Sequence, residues 1–297
     1  MTEVRNDIKF KTNIMKCTII KKFTLLLTLG VFSLVTLANP PLASKQQIGM
    51  YINSKTCVVY ESGNISYNIL IKDAVEKYWK STEFEFIDQQ EFEKRRFDSH
   101  YSFLVLLTGI YDNDPGGVSY NYISLVLGGP ENDMTKMPEL CSIPLSYSDD
   151  NNINDYDYVL PAIVKFMQKH AKNLEKNRLI ISLKGLKYYN GSADFKDKVL
   201  LLNKEKMSPD ADTPEKINTV YPYYVKLITF SEIENELAAN PANAVFHFHV
   251  GPIQNKAAGK CFEMIFDNEG NLWYYNSRKI TNKNEDGLEL NDLSQIR

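Results

Sequence analysis

Tyr101-Ser-Phe-Leu-Val-Leu-Leu-Thr-Gly109 runs with almost no polar interruption, and Ala244-Val-Phe-His-Phe-His-Val-Gly251 echoes it later in the same 297-residue chain. Apolar runs of this length without alternation belong to strands covered on both faces, as in a sheet flanked by helices. The segments leading into the two runs follow one order. Lys55–Glu61 and Lys198–Glu205 read as strands, Ile65–Trp79 as an amphipathic helix, and Thr213-Pro214-Glu215 as a helix start with Thr as cap and Pro at the first helical position. Glu83–Ile87 and Tyr223–Ile228 read as second strands, each followed by a capping pattern, Asp88-Gln-Gln-Glu91 and Thr229-Phe-Ser-Glu232.

The spacing supports a repeat. Lys55 to Gly109 is 54 positions and Lys198 to Gly251 is 53; Asp88 to Gly109 is 21 and Thr229 to Gly251 is 22. Each central run is followed by a turn-rich stretch and a returning hairpin, Ser119–Leu127 with a further strand at Glu139–Tyr147, and Cys261–Phe266 with Leu272–Asn276. Between the copies, Tyr158–Leu174 carries apolar residues at three- and four-residue steps with Lys165, Lys169 and Lys172 opposite, an amphipathic helix ending before Gly185. The expectation is an α/β (mixed α+β) protein of duplicated strand-helix-strand-helix-strand-hairpin units with mixed sheets, joined by an amphipathic helix. Its boundaries are 39–147 for the first unit, 148–195 for the linking loop and helix, and 196–297 for the second unit. This order resembles the small α/β modules of exported envelope-assembly proteins. The likeness covers element order and carries over no functional residue.

Residues 1–38 read as a signal peptide, with Met15 as an alternative start. A basic opening precedes the uncharged stretch Phe23–Ala38, with Thr36 and Ala38 at the small-residue positions of a cleavage site. About 16 residues is short of the roughly 20 that span a bilayer, so no membrane span is expected after cleavage. Six of the 34 basic and two of the 37 acidic residues fall within the first 38, which leaves 28 against 35, a net of −7. A nucleic-acid partner would require a basic face, so that class is set aside. The expected location is periplasmic or extracellular, and the expected partner an envelope or extracellular protein or a glycan.

Chemistry-bearing residues are few. His247 and His249 lie two apart on a strand, share a face, and are the candidate metal ligands; an enzyme centred on them is the alternative to a non-enzymatic binding protein. Aligning Gly251 with Gly109 sets the two histidines over Val105 and Leu107, apolar positions of the first unit. Trp273 and Tyr275 are the candidate ligand-binding aromatics, suited to stacking on a sugar or peptide. Asp149–Asp157 offers side-chain oxygen ligands at alternate positions, yet lacks the Gly and Glu of a calcium loop. Asn64-Ile-Ser66 and Asn190-Gly-Ser192 are formal glycan acceptors, and Cys57, Cys141 and Cys261 are expected as buried free thiols. No nucleophile elbow, phosphate loop or dinucleotide fingerprint occurs, so neither a catalytic set nor a cofactor is expected.

Overall fold

The structure, a computed structural model, describes residues 35–36, 41–110, 118–147, 156–191, 195–252, 259–281 and 285–296. The stretch 1–38 read as a signal peptide, apart from Val35–Thr36, and the acidic stretch up to residue 155 lie outside the described residues.

The first sheet contains β1 (Val35–Thr36), β2 (Lys55–Val59), β3 (Phe84–Ile87), β4 (Tyr101–Ile110), β5 (Ser119–Leu127) and β6 (Glu139–Tyr147). The second contains β7 (Val199–Asn203), β8 (Val225–Ile228), β9 (Ala244–Val250), β10 (Lys260–Asp267) and β11 (Leu272–Lys279). Their orders, β3-β2-β4-β5-β6 and β8-β7-β9-β10-β11, are the same, with β1 adding in parallel to the end of β4. In each sheet the first three strands are parallel and the last two return antiparallel. The fold is the mixed α/β arrangement that the periodicity implies, with two sheets of one design.

The helices follow from their caps and stripes. α1 (Lys45–Ile52) opens on a full capping box between Ser44 and Gln47, α2 (Ile65–Tyr78) on Asn64, and α3 (Gln89–Arg95) on Asp88. α4 (Leu160–Lys184) has Pro161 in its first turn, α5 (Pro214–Asn218) is capped by Thr213, and α6 (Phe230–Ala239) opens on the Thr229/Glu232 box. α7 (Leu290–Gln295) closes the described chain, with Glu289 and Asp292 in its capping box. Among the described residues no helix is long and apolar enough to cross a membrane. α4 ends at Lys184, before Gly185 as the sequence implies, and bends where Asn177 leaves helical geometry (φ −120°, ψ 19°).

α4 lies between the two units. Leu160, Ile163, Val164, Met167, Ala171 and Leu174 form one buried stripe and Ala162, Phe166 and His170 a second, as a helix covered on two sides requires. Its Gln168 joins the first unit, donating to Tyr78 O and accepting from the Lys80 and Ser81 amides. Lys165 and Lys169 join the second, donating to the carbonyls of Asn268 and Glu269 in the β10–β11 turn. Phe166 meets Phe266 with ring centroids 5.9 Å apart. One apolar cluster contains residues of α2, β4, β5, β6, α4, α6, β9 and β10, and a separate cluster lies behind each sheet.

The ladders fix how the two copies correspond. Thr56 pairs with Phe84 and Ser102, and Leu200 with Val225 and Val245. Ser102 therefore matches Val245, so His247 and His249 stand where the first sheet has Leu104 and Leu106. The glycine-to-glycine alignment, which put them over Val105 and Leu107, is one residue out. A one-residue slip exchanges the faces of a strand, and the faces agree with the ladder. Leu104 and Leu106 share a cluster with the first crossover helix α2, as Val245 does with α5.

Gly270, at φ 72°, sets the approach of the β10–β11 turn to α4: a Cβ there would fall 2.7 Å from Ala162 O and nearer still to the Lys165 Cβ. Gly270→Ala is expected to lower unfolding free energy by about 1–3 kcal/mol in urea titration.

Candidate functional site

β9 alternates between two environments. Phe246 and Phe248 enter the core shared with α4, while Val245, His247 and His249 face the layer made by α5, α7 and residues 285–289. On the neighbouring strand Glu263 pairs directly with His249, and Ile265 with His247. The Glu263 carboxylate consequently meets both imidazoles: Oε2 is 2.7 Å from His247 Nε2 and Oε1 is 2.9 Å from His249 Nδ1. The side chains of His247 and Glu263 are 0% exposed and that of His249 3%.

Further charged groups close over this triad. His249 Nε2 is 3.2 Å from Asp286 Oδ1, and Arg278 Nη1 is 3.6 Å from Glu263 Oε1. Arg278 also donates to Asp292 Oδ2 at 2.9 Å and to the carbonyls of Glu285 and Gly287. The buried Asp292 carboxylate accepts in addition from Tyr274 Oη, Asn276 Nδ2 and the Glu289 amide at 2.8, 2.7 and 3.2 Å. Residues 285–292 are thus held on the sheet by polar bonds, and Leu288 bridges in parallel to Met207. Gly251 makes room for one of these contacts, since a Cβ there would meet Asp286 Oδ1 and lie 2.7 Å from His249 Nε2.

Burial alone would push the His249 imidazolium toward its neutral form; the facing Glu263 and Asp286 carboxylates outweigh this and raise its pKa above the ordinary 6.5. Burial likewise disfavours the Glu263 carboxylate, but His249 and then His247 hold its pKa below the ordinary 4.5. The pair is charged at neutral pH. His247 Nδ1 has no hydrogen-bond partner, and among the described residues Arg278 Nε and Asp286 Oδ1 of the same cluster lack one as well, although each faces an opposite charge at 3.2 Å, Glu289 and His249 respectively.

The three nitrogen and oxygen donors of His247, His249 and Glu263 lie within 4.8 Å of one another, so the two histidines named from sequence are brought together with a third ligand type. Trp273 and Tyr275 are not brought together. Trp273 is the extra residue of a bulge, donates from Nε1 to Asp267 Oδ2 at 3.1 Å, packs on Phe195, and borders a groove of about 330 Å³ with Lys169, Asn173, Tyr188 and Asn271. Tyr275 packs against the main core, with its backbone clamped by the Asn190 side chain at 2.8 and 3.0 Å. Those two bonds occupy the Asn190 amide that a glycan would need. The thiols of Cys57, Cys141 and Cys261 are free and buried, and burial raises the Cys261 pKa far out of reach of a thiolate. Comparisons with protein-family models, curated proteins and solved structures return no match.

The ladder assigns Leu104, Leu106 and Ile123 of the first sheet to the places of His247, His249 and Glu263. Removing one member of a buried charge set leaves its partners uncompensated at a cost of about 3–5 kcal/mol, whereas an apolar set of similar volume is often neutral or better. In chemical denaturation Glu263→Ala should fall in the first range. The triple replacement His247→Leu, His249→Leu, Glu263→Ile should destabilise less than Glu263→Ala alone. A group whose pKa is raised on folding stabilises fully below its unfolded value and loses that contribution as pH rises through the folded value. The stability difference between wild type and His249→Gln should therefore be largest near pH 6 and shrink steadily under alkaline conditions.

Proposed function

We propose that the protein is exported and acts by binding an envelope or extracellular component, without catalysing a reaction. The observation that carries this reading is the sealing of its ionisable cluster: a general acid or base must come within hydrogen-bond reach of its substrate, and the side chains of His247, His249 and Glu263 are 3% exposed or less under residues 285–292. The cluster then acts as an internal clasp for the C-terminal segment. The basic and apolar layout of residues 1–38 supports export.

A second reading has its own observation. The convergence of two imidazole nitrogens and a carboxylate is the donor set of a zinc-type ion, with Asp286 placed to orient His249 through the other ring nitrogen. Arg278, 3.6 Å from Glu263, competes with a metal for the same carboxylate and weighs toward the clasp.

Protein isolated from the cell that makes it decides between these readings. The binding reading expects a mature chain that begins at Asn39 by intact mass, with less than about a tenth of an equivalent of zinc by elemental analysis. One equivalent of zinc, lost in His247→Ala and His249→Ala, would establish the second reading, and a chain retaining residues 1–38 in the cytoplasm would overturn export.

A further inference from the structure

α4 changes character at its bend. Before Asn177 its apolar residues are buried; beyond it Leu179, Ile180 and Leu183 are 72%, 45% and 80% exposed, although Ile181 beside them is buried. Positions 179, 180 and 183 share one face of the last turns. Lysines surround them: Lys172, Lys176, Lys184 and Lys187 are exposed, and residues 172–187 hold five basic side chains against the single acidic Glu175. The Arg178 guanidinium is turned inward, donating to the carbonyls of Ala43 and Leu42 at 2.6 and 3.2 Å, so the fifth basic group anchors the helix end instead of joining the surface. In a chain with a net of −7 beyond residue 38, this is a local reversal of charge around an apolar tip.

We infer that this tip of α4 docks on an anionic lipid bilayer surface, with Leu179, Ile180 and Leu183 entering the headgroup boundary and Lys176, Lys184 and Lys187 meeting lipid phosphates. The inference rests on the binding reading above and names its partner class. Size favours a lipid surface over a protein. Three aliphatic side chains offer far less than the roughly 800 Å² per partner that a stable protein interface buries. Peripheral attachment to a bilayer needs only a few inserted apolar groups, to which each nearby lysine adds roughly fivefold in affinity on an anionic surface. Arg178 and the buried Ile181 keep the helix end rigid, so little ordering is lost on contact.

Flotation of the full chain with vesicles of phosphatidylcholine alone, and with about 30% phosphatidylglycerol, tests the inference at roughly 0.05 M and 0.5 M salt. Expected is flotation with the anionic vesicles, reduced at least about tenfold by high salt, by Leu179→Ser with Leu183→Ser, and by Lys176→Glu with Lys184→Glu and Lys187→Glu. All five positions are exposed, and unchanged thermal melts will verify folding of both variants. Residues 23–38 are common to every arm, so the difference between chains reads the α4 tip alone, whatever the outcome of the processing experiment. Failure of the wild type to float with anionic vesicles, or flotation unaffected by both variants, overturns the inference. A dimer in solution that the leucine variants dissociate would assign the tip to a second copy of the chain and overturn it equally.

Discussion

The arrangement depends on a helix that is covered on two sides. A surface helix needs one apolar stripe, but α4 buries two, and neither unit alone can cover both. The first unit covers one of them with α2 and the first sheet; the second unit answers with β9, β10 and the turn at Gly270. The polar bonds of α4 are divided in the same way, Gln168 toward the end of α2 and Lys165 with Lys169 toward the β10–β11 turn. Two sheets of identical strand order thereby share one core. His170 fits this picture: burial alone holds its pKa down to about 4, and the ring stays neutral with Nδ1 2.8 Å from Tyr189 Oη.

Much of this was legible in the chain. The strands and most helices announce themselves by period and by cap, and the matched spacings around Gly109 and Gly251 reflect real sister sheets. The correspondence slipped by one residue because neither glycine ends its strand: β4 runs on to Ile110, and β9 stops at Val250. α1 is signalled only by the capping box of Ser44-Lys-Gln-Gln47, because eight residues are too short for a clear apolar period. α7 is only six residues long and has no period to detect.

The cluster was half legible for a related reason. His247 and His249 share a face by strand parity alone, but their partner Glu263 is sixteen and fourteen residues away on a neighbouring strand. A signal for it does exist: Glu263 is the lone charge inside Cys261-Phe-Glu-Met-Ile-Phe266, on the strand that follows the histidines. A charge in a fully buried strand demands a partner, and the preceding strand supplies two. Arg278, Asp286 and Asp292 had no such signal. Arg278 lies near the end of β11, while Asp286 and Asp292 belong to the polar C-terminal stretch, whose folding back over the sheet is a tertiary event.

The two sheets solve one packing problem by different chemistry. In the first, Leu104, Leu106 and Ile123 face α2 and α4 through apolar contact that is indifferent to protonation. In the second, the matching positions are ionisable, and what covers them is held by Arg278, Asp286 and Asp292. Because the first sheet reaches the same strand order without any charge there, the fold itself does not require one. What the charges add is a condition on the cover: residues 285–292 meet the sheet through the charge pairing of His249 with Glu263 and Asp286 and of Arg278 with Asp292, and the His249 share of it holds while that imidazole keeps its proton. α4 is held chiefly by apolar packing on both sides, with a few polar bonds added; the C-terminal segment is held by polar and charged contacts to a greater degree, and its seating is the more conditional of the two.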